Sequence, residues 1–256
     1  MRRVIYAPIS AYRLLVSLLS QDLTRRLPPS LVSSSIFFYL SGDPKRCQKL
    51  TDEILTTFAS VENIVHGSKL TGCTYLRACV DEVLRLVPAV PCELQREVLP
   101  GGIEIMGQHY AAGTLVGTSP WVTGRNEKVY RDPSSFRPER WVVDGVTVTS
   151  KEVAQLKANF HPFSSGPSIC AGRKLALMKI MITVARTLHR FELRRVPGPT
   201  RSAGSVRLGW EAQDTDQFQL EDAYVSLVQG PNLQFRKRRA AGECLNKGRV
   251  YKRQGV

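Results

Sequence analysis

Residues 163–172 read FSSGPSICAG, and this stretch decides how the chain is read, because it sets one cysteine between two close glycines ahead of a long apolar run. The run that follows, RKLALMKIMITVARTLHRFEL, has apolar residues on most sides and predicts a largely buried helix. Cys170 therefore falls at a helix entry, where unpaired backbone N–H groups and the helix dipole favour an anion and so stabilise a thiolate. Gly166 and Gly172 have no Cβ, which permits a sharp turn and close approach to a flat ligand, with Phe163 placed to pack beside it. Each feature alone is ordinary, since buried cysteines, turn glycines and core phenylalanines are common. Two readings stand at this point: a turn with a buried thiol, or a loop that hands a sulfur to a metal.

The chain has 256 residues, of which 43% are apolar, enough for one sizeable core or two small ones. Its 36 Lys and Arg against 22 Asp and Glu leave +14, a balance that favours acidic partners without choosing among them. Much of the excess lies in RKRR and NKGRVYKR near the end, which reads as a solvated, disordered tail. No nucleic-acid-binding motif accompanies the charge, so nucleic acid is not expected as a partner. The six cysteines lack the spacing of a zinc knuckle or redox dithiol, and free thiols in a reducing compartment are expected. No apolar run is long enough to span a bilayer; the opening MRRVIYAPISAYRLLVSLLSQ reads as an amphipathic leader.

Outward from the cysteine loop, the spacing predicts a helix over residues 43–61, with Asp43 as cap, Pro44 in the first turn, and Leu50, Ile54 and Phe58 on one face. A second helix fits CTYLRACVDEVLRLVP, where Leu76, Val80, Val83 and Val87 share a face and Pro88 ends it. REVLPGGIEIMGQHYAAGTLVGTS predicts two or three small strands joined by tight turns. From Trp121 to Phe160 the Pro, Arg, Asp and Asn content predicts an irregular connection with little regular structure. YVSLVQGPNLQFRKR predicts a closing hairpin with Gly230 and Pro231 at its turn.

Phe163, Gly166, Cys170 and Gly172 fall at the spacing of the haem-binding loop of the cytochrome P450 family, and FHPFSSGP resembles the stretch that leads into it. The resemblance implies that Cys170 is the axial thiolate ligand to the iron of haem b (iron protoporphyrin IX), with Phe163, Gly166 and Gly172 shaping the cofactor site. It also implies that Arg96, in QREVLPGG, binds a haem propionate. One position departs from the pattern. Two residues before the cysteine the family carries a basic side chain, and here stands Ser168, which brings a hydroxyl and no charge, so weaker anchoring is expected.

Glu82 and Arg85 in DEVLRL match the family's Glu-x-x-Arg pair, and Arg140 in FRPERW matches the arginine that completes it. Helical spacing alone sets Glu82 and Arg85 opposite the main apolar face, as a solvated ion pair worth about 0.3–0.5 kcal/mol. The order of pair, strands, Pro-Glu-Arg-Trp segment and cysteine loop favours the network, whose implied role is to lock the irregular segment beneath the haem's proximal face.

The resemblance runs from about Ser33 to Arg238, leaving 1–32 as a divergent leader and 239–256 as a basic tail. It implies a mainly α fold with small β-sheets, a partial cytochrome P450 fold comprising the C-terminal half, of fungal type. Relatives place an acid and a threonine in a long distal helix; here the sequence reads LTRRLPPSLV, where Pro28 and Pro29 are expected to break a helix and no such pair is present. The implied activity is insertion of one oxygen atom from dioxygen into a hydrophobic small molecule of secondary metabolism. Electrons would come from an NADPH-dependent reductase at the cytosolic face of the endoplasmic reticulum, although this chain shows no anchor. The alternative is a truncated, non-catalytic remnant that binds haem without turnover.

Overall fold

Proline begins helices more readily than it continues them, and the first helix uses this. The structure, a computed structural model, describes residues 28–196, 216–220, 226 and 231–238. Helix α1 spans Pro28–Gly42 with both prolines in its first turn, where backbone N–H groups have no intrahelical partner to lose. The prolines therefore open this helix where a break was expected, and the expected boundary between residues 32 and 33 falls inside it. Leu31, Val32, Ile36, Phe37, Phe38 and Leu40 are all buried. The serines among them are satisfied locally: Ser33 and Ser35 donate to the carbonyls of Pro29 and Leu31 at 2.9 and 2.8 Å, which offsets the cost of burying a hydroxyl.

Helix α2, Pro44–Thr57, starts where the sequence places it, with the Asp43 side chain accepting from the Arg46 backbone N–H at 3.0 Å. Leu50, Ile54 and Phe58 are buried as one face. A 3-10 turn at Val61–Asn63 and a single helical turn α3, Ser68–Thr71, lead to α4, Thr74–Leu86. Leu76, Val80, Val83 and Val87 of this run are fully buried, and so is nearly everything between them. Three helices follow: the single turn α5, Pro120–Thr123, then α6, Ser150–Ala158, and the long α7, Arg173–Arg190. Helix α1 packs against α7 and α4, and α7 also touches α2 and α4, so these four helices enclose the main core. Burial of α7 begins at Leu177; its first turn is exposed, with Leu175 at 52%. The expectation of a largely buried helix thus fails for the turn beside Cys170.

The glycine-punctuated stretch forms four short strands in two antiparallel ladders: β1 (Arg96–Glu97) with β4 (Leu115–Val116), and β2 (Ile103–Ile105) with β3 (Gln108–Tyr110). Ile105 pairs with Gln108 across a two-residue turn in which Met106 and Gly107 have φ of 52° and 80°, the left-handed pair that a tight hairpin needs. The third ladder joins β5 (Phe191–Arg195), directly after α7, to β6 (Leu233–Lys237). β6 is the described arm of the expected closing hairpin; residues 224, 225 and 227–230, including the turn at Gly230, lie outside the described residues, as do 1–27 and 239–256.

The segment from Trp121 to Phe160 holds only the end of α5 and a 3-10 turn at Pro138–Trp141 up to Val148, and then forms α6, a correction to the expected loop. Thr149 accepts from the Glu152 backbone at 3.2 Å while Glu152 accepts from the Thr149 backbone at 2.7 Å. This reciprocal capping box sits in plain sequence as TSKE, ahead of Val153 and Leu156, which face the core.

Candidate haem-thiolate site

One buried carboxylate joins α4 to the Pro138–Trp141 turn. Glu82 and Arg85 lie one turn apart on α4 and both side chains are fully buried. Arg85 donates through Nε to Glu82 Oε2 at 2.9 Å and through Nη2 to Oε1 at 2.8 Å, the two-point geometry that suits a guanidinium and a carboxylate. Arg140 Nε adds a bond to Glu82 Oε1 at 3.1 Å, the Trp141 indole N–H one to Oε2 at 2.9 Å, and the Arg137 backbone N–H one to Oε1 at 2.8 Å. The guanidinium groups then reach carbonyls of the irregular segment: Arg85 to Gly124 and Pro133, Arg140 to Arg131 and Asp132. Burial pulls the Arg140 pKa down, and the Glu82 charge opposes it.

Helical spacing alone favoured an exposed ion pair here, and the structure corrects it. The Pro138–Trp141 turn covers the polar side of α4, so that helix is buried all round. The same turn is fastened a second time, because Glu139 accepts from Tyr75 Oη at 2.6 Å and Arg46 Nε at 3.0 Å. Burial would raise the Glu139 pKa, but these bonds outweigh it and hold the carboxyl below its usual value. Gly124 lies against the α4 backbone so closely that a Cβ there would stand 2.6 Å from the Arg85 carbonyl oxygen.

The cysteine loop is fixed through its own backbone. The Cys170 backbone N–H donates to the Phe163 carbonyl at 2.9 Å, and the Cys170 carbonyl accepts from Arg173 at 3.2 Å, tying the loop to the start of α7. Gly166 has φ of +62°, a conformation that costs a side-chain-bearing residue energy. Gly172 does not: it lies in the turn that the Arg173 N–H and the Cys170 carbonyl close, but its φ is −79°, which any residue adopts, so the turn there does not require a glycine. What a side chain at 172 would meet is the sulfur, with its Cβ 3.7 Å from Cys170 Sγ. Cys170 is an exposed free thiol.

That thiol borders a largely apolar cavity of about 420 Å³, walled by Val32 of α1, Leu84 of α4, Pro88 to Val90, Phe163, Gly172 and Ala176. A second cavity of about 470 Å³ adjoins it; Leu84, Leu94, Pro120, His161, Pro162, Ser164 and Ser168 border both. The second is polar and carries Arg96, Asn126, Asn159 and the Tyr130 side. Tyr130 Oη is buried without a hydrogen-bond partner, and burial pushes its pKa up to about 12. Arg96 is exposed on β1 and borders this polar cavity but not the thiol's. Phe163, Cys170 and Gly172 are thus brought together on one wall, Arg96 stands beyond the shared wall, and Gly166 shapes the loop without bordering either cavity.

These residues fit an iron porphyrin. Among the described residues no three His, Cys, Asp or Glu side chains gather, so a metal at Cys170 would draw one soft thiolate from the chain and its other donors from a ligand that brings them. Apolar walls beside the sulfur suit a macrocycle, and the adjoining polar cavity suits carboxylates.

With this geometry in view, comparison with known proteins identifies the class. The family model described as Cytochrome P450 matches residues 29–204. The chain belongs to the cytochrome P450 family, and its mainly helical fold with small antiparallel sheets is a partial form of that family's fold. Membership implies a haem cofactor. The chain is 37% identical over 206 residues to cytochrome P450 monooxygenase fscF of Fusarium equiseti, a match covering 80% of this chain and 38% of that protein. It is 35% identical to cytochrome P450 monooxygenase apf7 of Gibberella fujikuroi over 79% of this chain and 38% of that one, and 35% identical to apf8 of the same organism over 80% and 55%. The chain therefore spans about two fifths to just over half the length of these relatives.

Several residues around the site escaped the sequence reading. Trp141 and the Arg137 backbone, both within FRPERW, complete the shell of Glu82. Glu139 of the same motif binds partners 64 and 93 residues away, which no local spacing signals. His161 was visible in FHPFSSGP, but only the cavities show that it stands on their common wall.

Proposed function

We propose that this chain is the haem-thiolate part of a monooxygenase that inserts one atom of dioxygen into a hydrophobic small molecule of fungal secondary metabolism. The observation that carries the reading is the Cys170 thiol at the edge of an apolar cavity, on a loop tied to the start of α7. Cys170 supplies the sulfur to the iron of haem b. Gly172 keeps the space beside that sulfur clear, Phe163 packs at the ring, and Arg96 faces the carboxylate side. When bound, the haem supplies oxygen activation and the oxidising power. Glu82, Arg85 and Arg140 do no chemistry in this reading; they fix the segment on which the cavities rest. Electrons come from an NADPH-dependent reductase, for which the chain's +14 charge suits an acidic docking face, at the cytosolic side of the endoplasmic reticulum. Among the described residues no helix is long and apolar enough to cross a membrane.

The test is spectroscopic. Chain reconstituted with haem, reduced and exposed to carbon monoxide should give the red-shifted absorption band of thiolate ligation, and Cys170→Ala should lose it. Persistence of the band in the variant would refute the assignment.

A further inference from the structure

The loop carries a serine where the family's haem loop carries a positive charge, and the cavities show where another cation stands. Four basic side chains border them. Arg85 is engaged by Glu82 and by backbone carbonyls. Of these two cavities, Arg96 borders only the polar one and Lys179 only the apolar one. His161 borders both, as Ser168 does. Its imidazole is exposed, and among the described residues it makes no hydrogen bond or ion pair. It precedes Pro162 and Phe163, and its carbonyl accepts from Ser164 at 3.0 Å, so the loop backbone holds its position.

We propose that His161 is the side chain that pairs with a haem carboxylate in this chain, in place of the basic residue absent at position 168. The proposal rests on the haem-thiolate reading. A flat ligand with its apolar body beside Cys170 and its acidic edge in the polar cavity crosses the wall where His161 and Ser168 stand. A protonated imidazole donates from either ring nitrogen, and the Ser168 hydroxyl supplies a second, neutral donor. A bond between ionised partners is roughly twice as strong as a neutral one, so removing His161 should cost more than removing the Ser168 hydroxyl.

The experiment titrates the full chain, followed by absorbance, with ferric haem and with its dimethyl ester, in which both carboxylates are masked. His161→Ala should bind free haem about tenfold more weakly than wild type and bind the ester within about twofold of it. Ser168→Arg added to His161→Ala should recover most of the lost affinity for free haem, and the thiolate band should persist throughout. The ester controls for folding, because a variant that no longer folds loses both ligands. Equal affinity of wild type and His161→Ala for free haem, or an equal loss for the ester in a variant whose circular dichroism matches wild type, overturns the pairing while leaving the thiolate reading intact. A wild-type chain that takes up no haem, or a Cys170→Ala chain that keeps the thiolate band, removes the reading itself and the pairing with it.

Discussion

Glu82 has no exposed surface and accepts five hydrogen bonds, two from Arg85 and one each from Arg140, Trp141 and the Arg137 backbone. Two guanidinium groups are buried with it, and their charge is tolerable there only because the carboxylate is present. Glu82→Gln keeps the shape but turns one acceptor into a donor aimed at other donors. The expected loss of stability is about 3–5 kcal/mol, the range for stranding a buried charge, read as a fall in the urea midpoint at unchanged slope. A loss below about 1 kcal/mol would place the pair in the exposed class that helical spacing first suggested. Arg85→Lys should also destabilise, since a lysine offers one charged point and cannot hold Glu82 at two points while reaching Gly124 and Pro133.

The elements differ in how much of them the sequence shows. Helix α2 was legible because a cap, a first-turn proline and an apolar face coincide, and α4 because an apolar face runs into the proline that ends it. Burial of the polar side of α4 was not, because its cover comes from Pro138–Trp141, more than fifty residues on. The same holds for the start of α4. Cys73 occupies its N-cap position and makes no capping bond; the free N–H groups of Tyr75 and Leu76 are met instead by Glu53 of α2, at 2.8 Å each. A carboxylate at a helix N-terminus is favoured by both the hydrogen bonds and the dipole, and here it also fastens two helices together. Glu53→Ala should cost about 1–2 kcal/mol and speed amide exchange at Tyr75 and Leu76 more than at Leu84. Uniform exchange along α4 would mean that Glu53 contributes only through α2. The thiol loop was legible as a pattern of residue types, but the cavities beside it were not, since α1, α4 and the 88–96 stretch each contribute part of their walls.

Across the molecule, the fold sorts its thiols by access. Cys73 and Cys79 are buried, Cys47 and Cys92 are half-buried, and Cys170 is exposed. Burial raises the pKa of Cys47, Cys73 and Cys79, holding them protonated and so unreactive, because the thiolate is the nucleophile. A thiol reagent applied to the native chain should therefore modify Cys170 at least about tenfold faster than Cys73 or Cys79, with peptide mapping assigning each site and reporting Cys244 separately. Added ferric haem should slow modification at Cys170 and leave Cys92 unchanged, because the sulfur that binds iron is no longer free to attack. Modification of Cys170 as slow as that of Cys79 would show that the loop closes over its sulfur in solution. Haem that leaves the Cys170 rate unchanged would show that the iron sits elsewhere, and the apolar cavity would then need a different occupant.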